Sequence, residues 1–201
     1  MSARLSRAPR ARRSESRVAA AAAVCVLASG AALLLRGAPL ADSVRTPLGL
    51  ALMYTVVLAG SAAVAHRVPG PAEDVPPSGL AVVVPLGVGL FALVLARFVV
   101  GSAAPVATTA YGAALSVLAA VAEEALFRGA AFRLLQRRGT WAAVVGSATL
   151  FALIHVPAYG WPVFPVDLGA GLLFSWQRLA SGRWSVPAAT HAAANLLAVM
   201  R

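Results

Sequence analysis

The second half of the chain places a small set of ionisable and amide side chains inside segments that are otherwise apolar. The set comprises Glu123, Glu124 and Arg128 in the stretch AEEALFRG, His155 at the end of FALIH, and His191 and Asn195 in HAAAN. Carboxylates and imidazoles are the side chains that most often transfer protons in enzymes. The chemistry available to this set is therefore general acid–base chemistry.

The two adjacent glutamates are predicted to have different tasks. Residues four apart share one face of a helix, so Glu124 and Arg128 form a pair with the acid in the favourable N-terminal position. Glu123 is rotated by about 100° from Glu124 on a helix of 3.6 residues per turn. We therefore expect Glu124 to pair with Arg128 and Glu123 to face a cavity, where a desolvated carboxylate is a candidate general base.

The same four-residue spacing recurs in two later segments. Phe151 and His155 share one helix face, which allows the phenyl ring to shield one side of the imidazole. His191 and Asn195 share another, so that two polar groups point toward one place.

The energetic cost of these residues favours a functional interpretation over a structural one. An ionisable side chain near the middle of a bilayer costs at least a few kcal/mol, by a rough estimate. Hydrogen bonds between membrane helices return only about 0.6 kcal/mol on average. A buried polar cluster that only holds helices together is the structural alternative, and it compensates poorly for that cost.

The elements that position these residues are predicted to be membrane-spanning helices. The chain has 201 residues, 60% of them hydrophobic, and a mean hydropathy of +0.80, whereas soluble domains are about 45–50% apolar. The apolar residues fall into seven segments, which are approximately 18–35, 46–65, 79–100, 104–137, 140–156, 166–180 and 185–200. Ten-residue alternation, the signature of a transmembrane β-barrel, is not evident. The predicted fold class is all-α, a polytopic transmembrane helix bundle with about seven spans; the sixth segment is the weakest because it is short and carries Asp167.

Charge placement predicts the orientation. The net charge of +10 comes from 17 basic residues, all of them arginines, and these cluster at the ends of the apolar segments. The positive-inside rule puts the N-terminus in the cytoplasm and, with seven spans, the C-terminus outside. This placement at helix ends argues for anionic lipid rather than nucleic acid as the partner. The single cysteine, Cys25, excludes an internal disulfide and a cysteine-based zinc site.

The three patterns together resemble a known family. EEALFR is similar to an EExxxR motif, FALIH to FxxxH and HAAAN to HxxxN, in the order found in the CPBP family of intramembrane proteases. That family includes the type 2 CAAX prenyl endopeptidases and Abi-like bacteriocin-processing and immunity proteins. The resemblance covers about residues 105–199, and Gly129 also fits it. It divides the chain into a disordered basic cytoplasmic tail (1–17), N-terminal transmembrane helices (18–103) and a CAAX-protease-like catalytic core (104–201).

The resemblance implies a role for each residue of the set. Glu123 would activate a water molecule that His155 helps to hold, and Glu124 and Arg128 would orient the catalytic helix. His191 and Asn195 would form an oxyanion hole, and no serine or cysteine nucleophile would be needed. The family also carries a metalloprotease name. The favoured mechanism has no cofactor or metal; if a divalent metal such as zinc is bound, its ligands would be Glu123, His155, His191 and Asn195.

The predicted function is therefore an intramembrane endopeptidase, a hydrolase of the glutamic or metallo type. The enzyme itself is predicted to be a multi-pass protein of the bacterial inner or plasma membrane. Its substrate would be a membrane-associated protein or peptide: a bacteriocin-type leader, a membrane-anchored regulator or a C-terminal sorting signal. The first alternative is a non-catalytic immunity or scaffold protein with the same fold. The second is a small proton-coupled transporter, for which broken helices and pseudo-repeats would be expected.

Overall fold

The computed structural model describes residues 9–35, 46–68, 78–100 and 109–199, and every secondary-structure element in these ranges is helical. The helices are α1 (Pro9–Leu35), α2 (Pro47–Arg67), α3 (Gly79–Val100), α4 (Ala110–Glu124), a π-helical segment (Ala125–Ala131), α5 (Phe132–Gln136), α6 (Thr140–Tyr159), a 3₁₀ turn (Trp161–Val163), α7 (Phe164–Ser181) and α8 (Ser185–Val199). The predicted all-α bundle is confirmed.

Within the described ranges, five helices are long and apolar enough to cross a membrane. Their candidate spans are Ser16–Leu35, Pro47–Arg67, Gly79–Ala96, Ala110–Gln136 and Thr140–Tyr159. The remaining two, α7 and α8, have 18 and 15 residues and are not among the five. The absence of α7 from the five agrees with the weakness of the sixth predicted segment. The five candidate spans make the chain a multi-pass membrane protein.

Local sequence explains where the helices begin. Thr46 caps α2 by accepting a hydrogen bond from the Gly49 amide at 3.1 Å, and Thr109 caps α4 by accepting one from the Gly112 amide at 3.1 Å.

Helix α1 begins at Pro9 and so enters the segment predicted to be a disordered tail. Proline is well tolerated at the first helical position, and the residues that follow contain no helix breaker. Residues 1–8 of the predicted tail lie outside the described residues.

The fourth predicted span is one continuous helix with a widened turn in its middle. The π-helical segment Ala125–Ala131 follows Glu124 directly and is buried throughout. It leads into α5, which ends at Gln136 with Arg137 as its C-cap, close to the predicted end. Single π-helical turns are rare and occur frequently at functional sites.

The interior of the bundle combines aromatic rings with close backbone contacts. Phe127, Phe151 and Phe174 belong to one buried cluster to which Tyr54 of α2 also contributes. Helices α6 and α7 approach closely at Gly171, where an added Cβ would lie 3.0 Å from the Cα of Ala148. This close approach brings polar groups of α7 next to those of α4 and α6.

Candidate active site

The structure pairs Glu124 with Arg128, as the spacing predicted. The Oε1 atom of Glu124 lies 2.9 Å from Nη1 of Arg128, and both side chains are completely buried. The second guanidinium nitrogen, Nη2, donates to the backbone carbonyl of Gly171 at 3.0 Å. The ion pair therefore ties the middle of the fourth span to α7.

Aromatic rings surround the buried guanidinium. The Arg128 Cζ lies 4.6 Å from the ring centroid of Phe151 and 5.3 Å from that of Phe174. The Phe151 ring also packs edge-on against the His155 ring, with centroids 4.8 Å apart, and against the His191 ring at 5.5 Å. Phe151 thus separates the ion pair from His155, which extends its predicted role as a shield for the imidazole.

Helix α8 brings His191 to the same carboxylate. The Nδ1 atom of His191 lies 3.0 Å from Oε1 of Glu124, and the residue is buried. An ionised carboxylate only accepts hydrogen bonds, so Nδ1 is the donor in this contact. Asn195, one turn later, donates its Nδ2 to the Ser116 carbonyl of α4 at 3.1 Å. These two contacts align α8 against α4.

Glu123 occupies a different position from Glu124. Its Oε2 atom lies 3.6 Å from Nε2 of His155, and its side chain is 4% exposed. On the other side of the ring, Nδ1 of His155 lies 2.8 Å from the carbonyl oxygen of Phe151. A carbonyl oxygen only accepts, so Nδ1 carries a proton and Nε2 of the neutral ring is an acceptor that faces Glu123. At 3.6 Å the two atoms are not directly hydrogen-bonded, and a water that lies beside them in the cavity can contact both.

A cavity of about 290 Å³ connects these groups. Glu123, His155, His191 and Asn195 line it, and Glu124 does not, in agreement with the predicted division between the two glutamates. Its other lining residues are Leu50 and Tyr54 of α2, Gly112, Leu115, Ser116 and Ala119 of α4, and Tyr159 of α6.

The cavity lies toward one end of the bundle. Its lining residues come from the N-terminal half of α2, the N-terminal half and middle of the fourth span (Ala110–Gln136), the C-terminal end of α6 and the middle and C-terminal part of α8. The Tyr111 hydroxyl donates to the Pro47 carbonyl at 2.8 Å, which places the starts of α2 and α4 side by side. Residues from three motifs that are up to 72 positions apart, from Glu123 to Asn195, thus meet in one chamber.

The chamber lacks the usual cluster of metal-binding side chains. Among the described residues, no group of three or more histidine, cysteine, aspartate or glutamate side chains is arranged so that it could hold a metal ion. The Nδ1 atoms of His155 and His191 are both engaged in hydrogen bonds.

The structure adds residues that the sequence patterns did not identify. Tyr54 and Tyr159 line the cavity, and Asp167 of α7 lies 3.5 Å from Nδ1 of His155 through its Oδ2 atom. The sequence did offer a signal for Asp167, since it is the only acidic residue after Glu124. In the sequence, Asp167 had only marked the sixth segment as the weakest of the predicted spans.

Comparison with known proteins gives a family match over the part of the chain that holds this chamber. Residues 104–197, just under half of the chain, match a family model described as type II CAAX prenyl endopeptidase Rce1-like. A search of the curated proteins and a search of the solved structures each gave no match. The matched region contains the three motifs and all the helices that contribute Glu123, His155, His191 and Asn195. Through this region, the chain is similar to the CPBP family, in the group described as type II CAAX prenyl endopeptidase Rce1-like.

Proposed function

We propose that this protein is an intramembrane endopeptidase in which Glu123 activates a water molecule to hydrolyse a peptide bond. The observation that carries the proposal is the chamber itself. A buried carboxylate, an imidazole acceptor and an amide donor from three helices face one cavity, in a chain that is otherwise apolar. Ionisable side chains within a membrane carry a free-energy cost, and those that are kept there in spite of it usually have a function.

The proposed reaction needs one proton shuttle. A water held between the Glu123 carboxylate and Nε2 of His155 loses a proton to Glu123 while its oxygen attacks the scissile carbonyl. The resulting tetrahedral intermediate collapses, the C–N bond breaks, and Glu123 returns the proton to the leaving amine. The products are a new carboxyl terminus and a new amino terminus, and general base catalysis of this kind contributes about 10²- to 10⁴-fold.

The proposed oxyanion donors come from α8. Asn195 uses one amide hydrogen for the Ser116 carbonyl, which leaves the second hydrogen of Nδ2 for the developing oxyanion. His191 already donates Nδ1–H to Glu124, so its Nε2 can donate only when both ring nitrogens are protonated. In this role His191 acts as an imidazolium, held beside the Glu124 carboxylate. A donor aimed at an oxyanion contributes about 3 kcal/mol to transition-state stabilisation.

Glu124 and Arg128 are proposed to act by position. Neither is exposed, and their ion pair fixes the helix turn that presents Glu123. The same carboxylate orients His191. The buried pair therefore sets the angle between α4 and α8 across the chamber.

We further propose that the reaction proceeds without a metal. The arrangement of donors described above supports this, because the histidines have hydrogen-bonding roles that require no ligation. Metal analysis of the purified protein tests the point. Stoichiometric zinc that is lost, together with activity, in His155→Ala would contradict it.

The chamber is proposed to open on the face opposite the cytoplasm. Arg67, Arg133, Arg137, Arg138 and Arg183 lie at the end of the bundle away from the cavity, which the positive-inside rule assigns to the cytoplasm. Two exposed threonines at opposite ends, Thr109 and Thr140, form a matched pair. In a Cys25→Ser background, an impermeant thiol reagent applied to intact cells should label Thr109→Cys and leave Thr140→Cys unlabelled; the reverse pattern would contradict this orientation.

The substrate is proposed to be a membrane-associated protein or peptide, and the experiment that tests the function also identifies it. Terminal peptides are sequenced from membranes of a deletion strain that carries wild type, Glu123→Gln or His66→Ala. His66 is exposed at the end of α2 and outside the cavity, so its variant is the matched control. New termini should appear with wild type and His66→Ala and be absent with Glu123→Gln. Identical termini in all three strains would favour the non-catalytic scaffold alternative.

A further inference from the structure

The start of α7 places a carboxylate against the ring that faces Glu123. Asp167 lies in the first turn of α7, and its Oδ2 atom is 3.5 Å from Nδ1 of His155. Both side chains are largely enclosed, with exposures of 19% for Asp167 and 12% for His155. None of the roles proposed above uses Asp167.

Two groups beside Nδ1 favour the same proton. The Phe151 carbonyl at 2.8 Å accepts a hydrogen bond and so requires Nδ1 to carry hydrogen. The Asp167 carboxylate at 3.5 Å is too distant for a good hydrogen bond, and its negative charge favours the proton on Nδ1 electrostatically. The carbonyl belongs to the same helix as His155 and is present in any helix, whereas the carboxylate belongs to α7. Asp167 is therefore the group that couples the tautomer of His155 to the packing of α7.

The position of α7 is itself fixed by the buried cluster. Gly171 lies one turn after Asp167 on the same helix face, contacts Ala148 closely and accepts a hydrogen bond from Arg128. One turn further on, the hydroxyl of Ser175 lies 3.0 Å from that of Ser147 on α6. This face of α7 thus joins the ion pair of the fourth span to the imidazole of α6.

We propose that Asp167 is a positioning residue that holds His155 in the Nδ1–H tautomer, so that Nε2 accepts a hydrogen bond from the water activated by Glu123. The inference rests on the proposed function for its catalytic consequence. An acidic residue in a first helical turn also interacts favourably with the helix dipole. That effect needs only a negative charge near the helix start and does not require contact with His155, so the two roles can be separated by experiment.

The first readout is spectroscopic and needs no substrate. The chain has three histidines, so the full-length protein labelled with ¹⁵N-histidine in lipid nanodiscs gives three ring systems, and His66→Gln and His155→Gln assign them. The ¹⁵N shifts distinguish the two neutral tautomers. We expect one Nδ1–H signal set for His155 in wild type and a mixture of tautomers in Asp167→Asn. The His191 signals report whether the buried cluster has kept its fold.

The matched control retains the charge and moves it. In Val166→Asp combined with Asp167→Asn, the carboxylate stays in the first turn of α7 but is rotated by about 100° away from His155. Val166 is 52% exposed, so a carboxylate there does not enter the packed interior of the bundle. We expect the control to behave like Asp167→Asn, and Asp167→Glu to restore the wild-type tautomer in part.

The second readout is the yield of product termini from membranes. We expect Asp167→Asn and the charge-moving control to lower it by about tenfold, the lower end of the effect of groups that orient a reactive histidine. Unchanged His155 signals in Asp167→Asn, or recovery of both readouts in the charge-moving control, would overturn the proposal. If Asp167→Asn loses the His191 signals, that variant has lost the fold of the buried cluster. The His155 signals and the product yield of Asp167→Glu are then compared with wild type by the same criteria. If wild type forms no termini, the proposed function fails while the ring signals still decide the role of Asp167.

Discussion

The helices before residue 101 and those after residue 108 use the membrane differently. In the described part of α1 to α3, two buried residues are polar, Ser29 and Ser61, whereas ten are polar or charged in residues 109–199. The candidate span in α3 has 11% of its residues buried, against 39% for each of the spans formed by α4–α5 and α6. The first region mainly presents apolar surface to lipid, and the second encloses polar groups.

This difference shows that the free-energy cost of burying polar groups falls mainly on the helices after residue 108. Lipid is as apolar as leucine, so apolar side chains on α3 gain little from contact with other helices. The polar groups of the second region must be satisfied by one another, which requires close and specific packing. The first region contributes to the chamber through two side chains, Leu50 and Tyr54. It acts mainly as a support for the second.

The largest effect on stability is expected from replacing the buried guanidinium of Arg128. Arg128→Met leaves the Glu124 carboxylate without its ion pair and removes the guanidinium donor to the Gly171 carbonyl. Loss of one partner of a buried pair costs about 3–5 kcal/mol. We expect a large fall in the Tm of the purified protein in detergent. Arg137→Met, at an exposed arginine just after α5, is the control, and an equal Tm for both variants would contradict the claim that enclosed polar groups hold the second region together.

A smaller effect should arise where the two regions meet. The Gln177 side chain of α7 donates to the Pro85 carbonyl of α3 at 2.8 Å and to Thr190 of α8. A Cβ added at Gly89 would overlap the Gln177 amide, whereas one added at Gly87 would meet nothing within 4 Å. Overpacking of this kind costs about 1–3 kcal/mol. Thermal unfolding should show a lower Tm for Gly89→Ala and no loss for Gly87→Ala; equal values would mean that α3 is not held by this contact.

The smallest effect compares one buried serine from each region. Ser175 lies 3.0 Å from the Ser147 hydroxyl and donates to the Gly171 carbonyl at 2.8 Å. The hydroxyl of Ser61 has no hydrogen-bond partner within the described residues. Ser175→Ala should cost about 1 kcal/mol, while Ser61→Ala should leave stability unchanged or raise it slightly. Denaturant titration in micelles measures both, and an equal loss would show that polarity is as important in the first region.

The sequence predicted the helices and the pairing within each motif, because both depend on local spacing. The apolar segments matched the helices closely, and the Glu124–Arg128 pair and the cavity-facing position of Glu123 followed from the helical period. The four-residue interval also placed Phe151 beside His155.

The contacts between helices could not be predicted in this way. The link from His191 to Glu124 and that from Asn195 to the Ser116 carbonyl depend on how α8 lies against α4. The π-helical turn after Glu124 has no periodicity signal of its own, since its apolar residues fit an α-helix equally well. The contact of Asp167 with His155 depends on the close approach of α6 and α7 at Gly171, which no spacing within either helix reveals.

We expect the two adjacent glutamates to divide chemistry from structure, and one pair of variants tests this division. Glu123→Gln and Glu124→Gln are purified in parallel, and each is assayed for Tm and for the release of product termini from deletion-strain membranes. We expect Glu123→Gln to keep the wild-type Tm and to release no product, whereas Glu124→Gln should have a lower Tm because it weakens the contacts to Arg128 and His191. Product release by Glu123→Gln at the wild-type level would contradict this division.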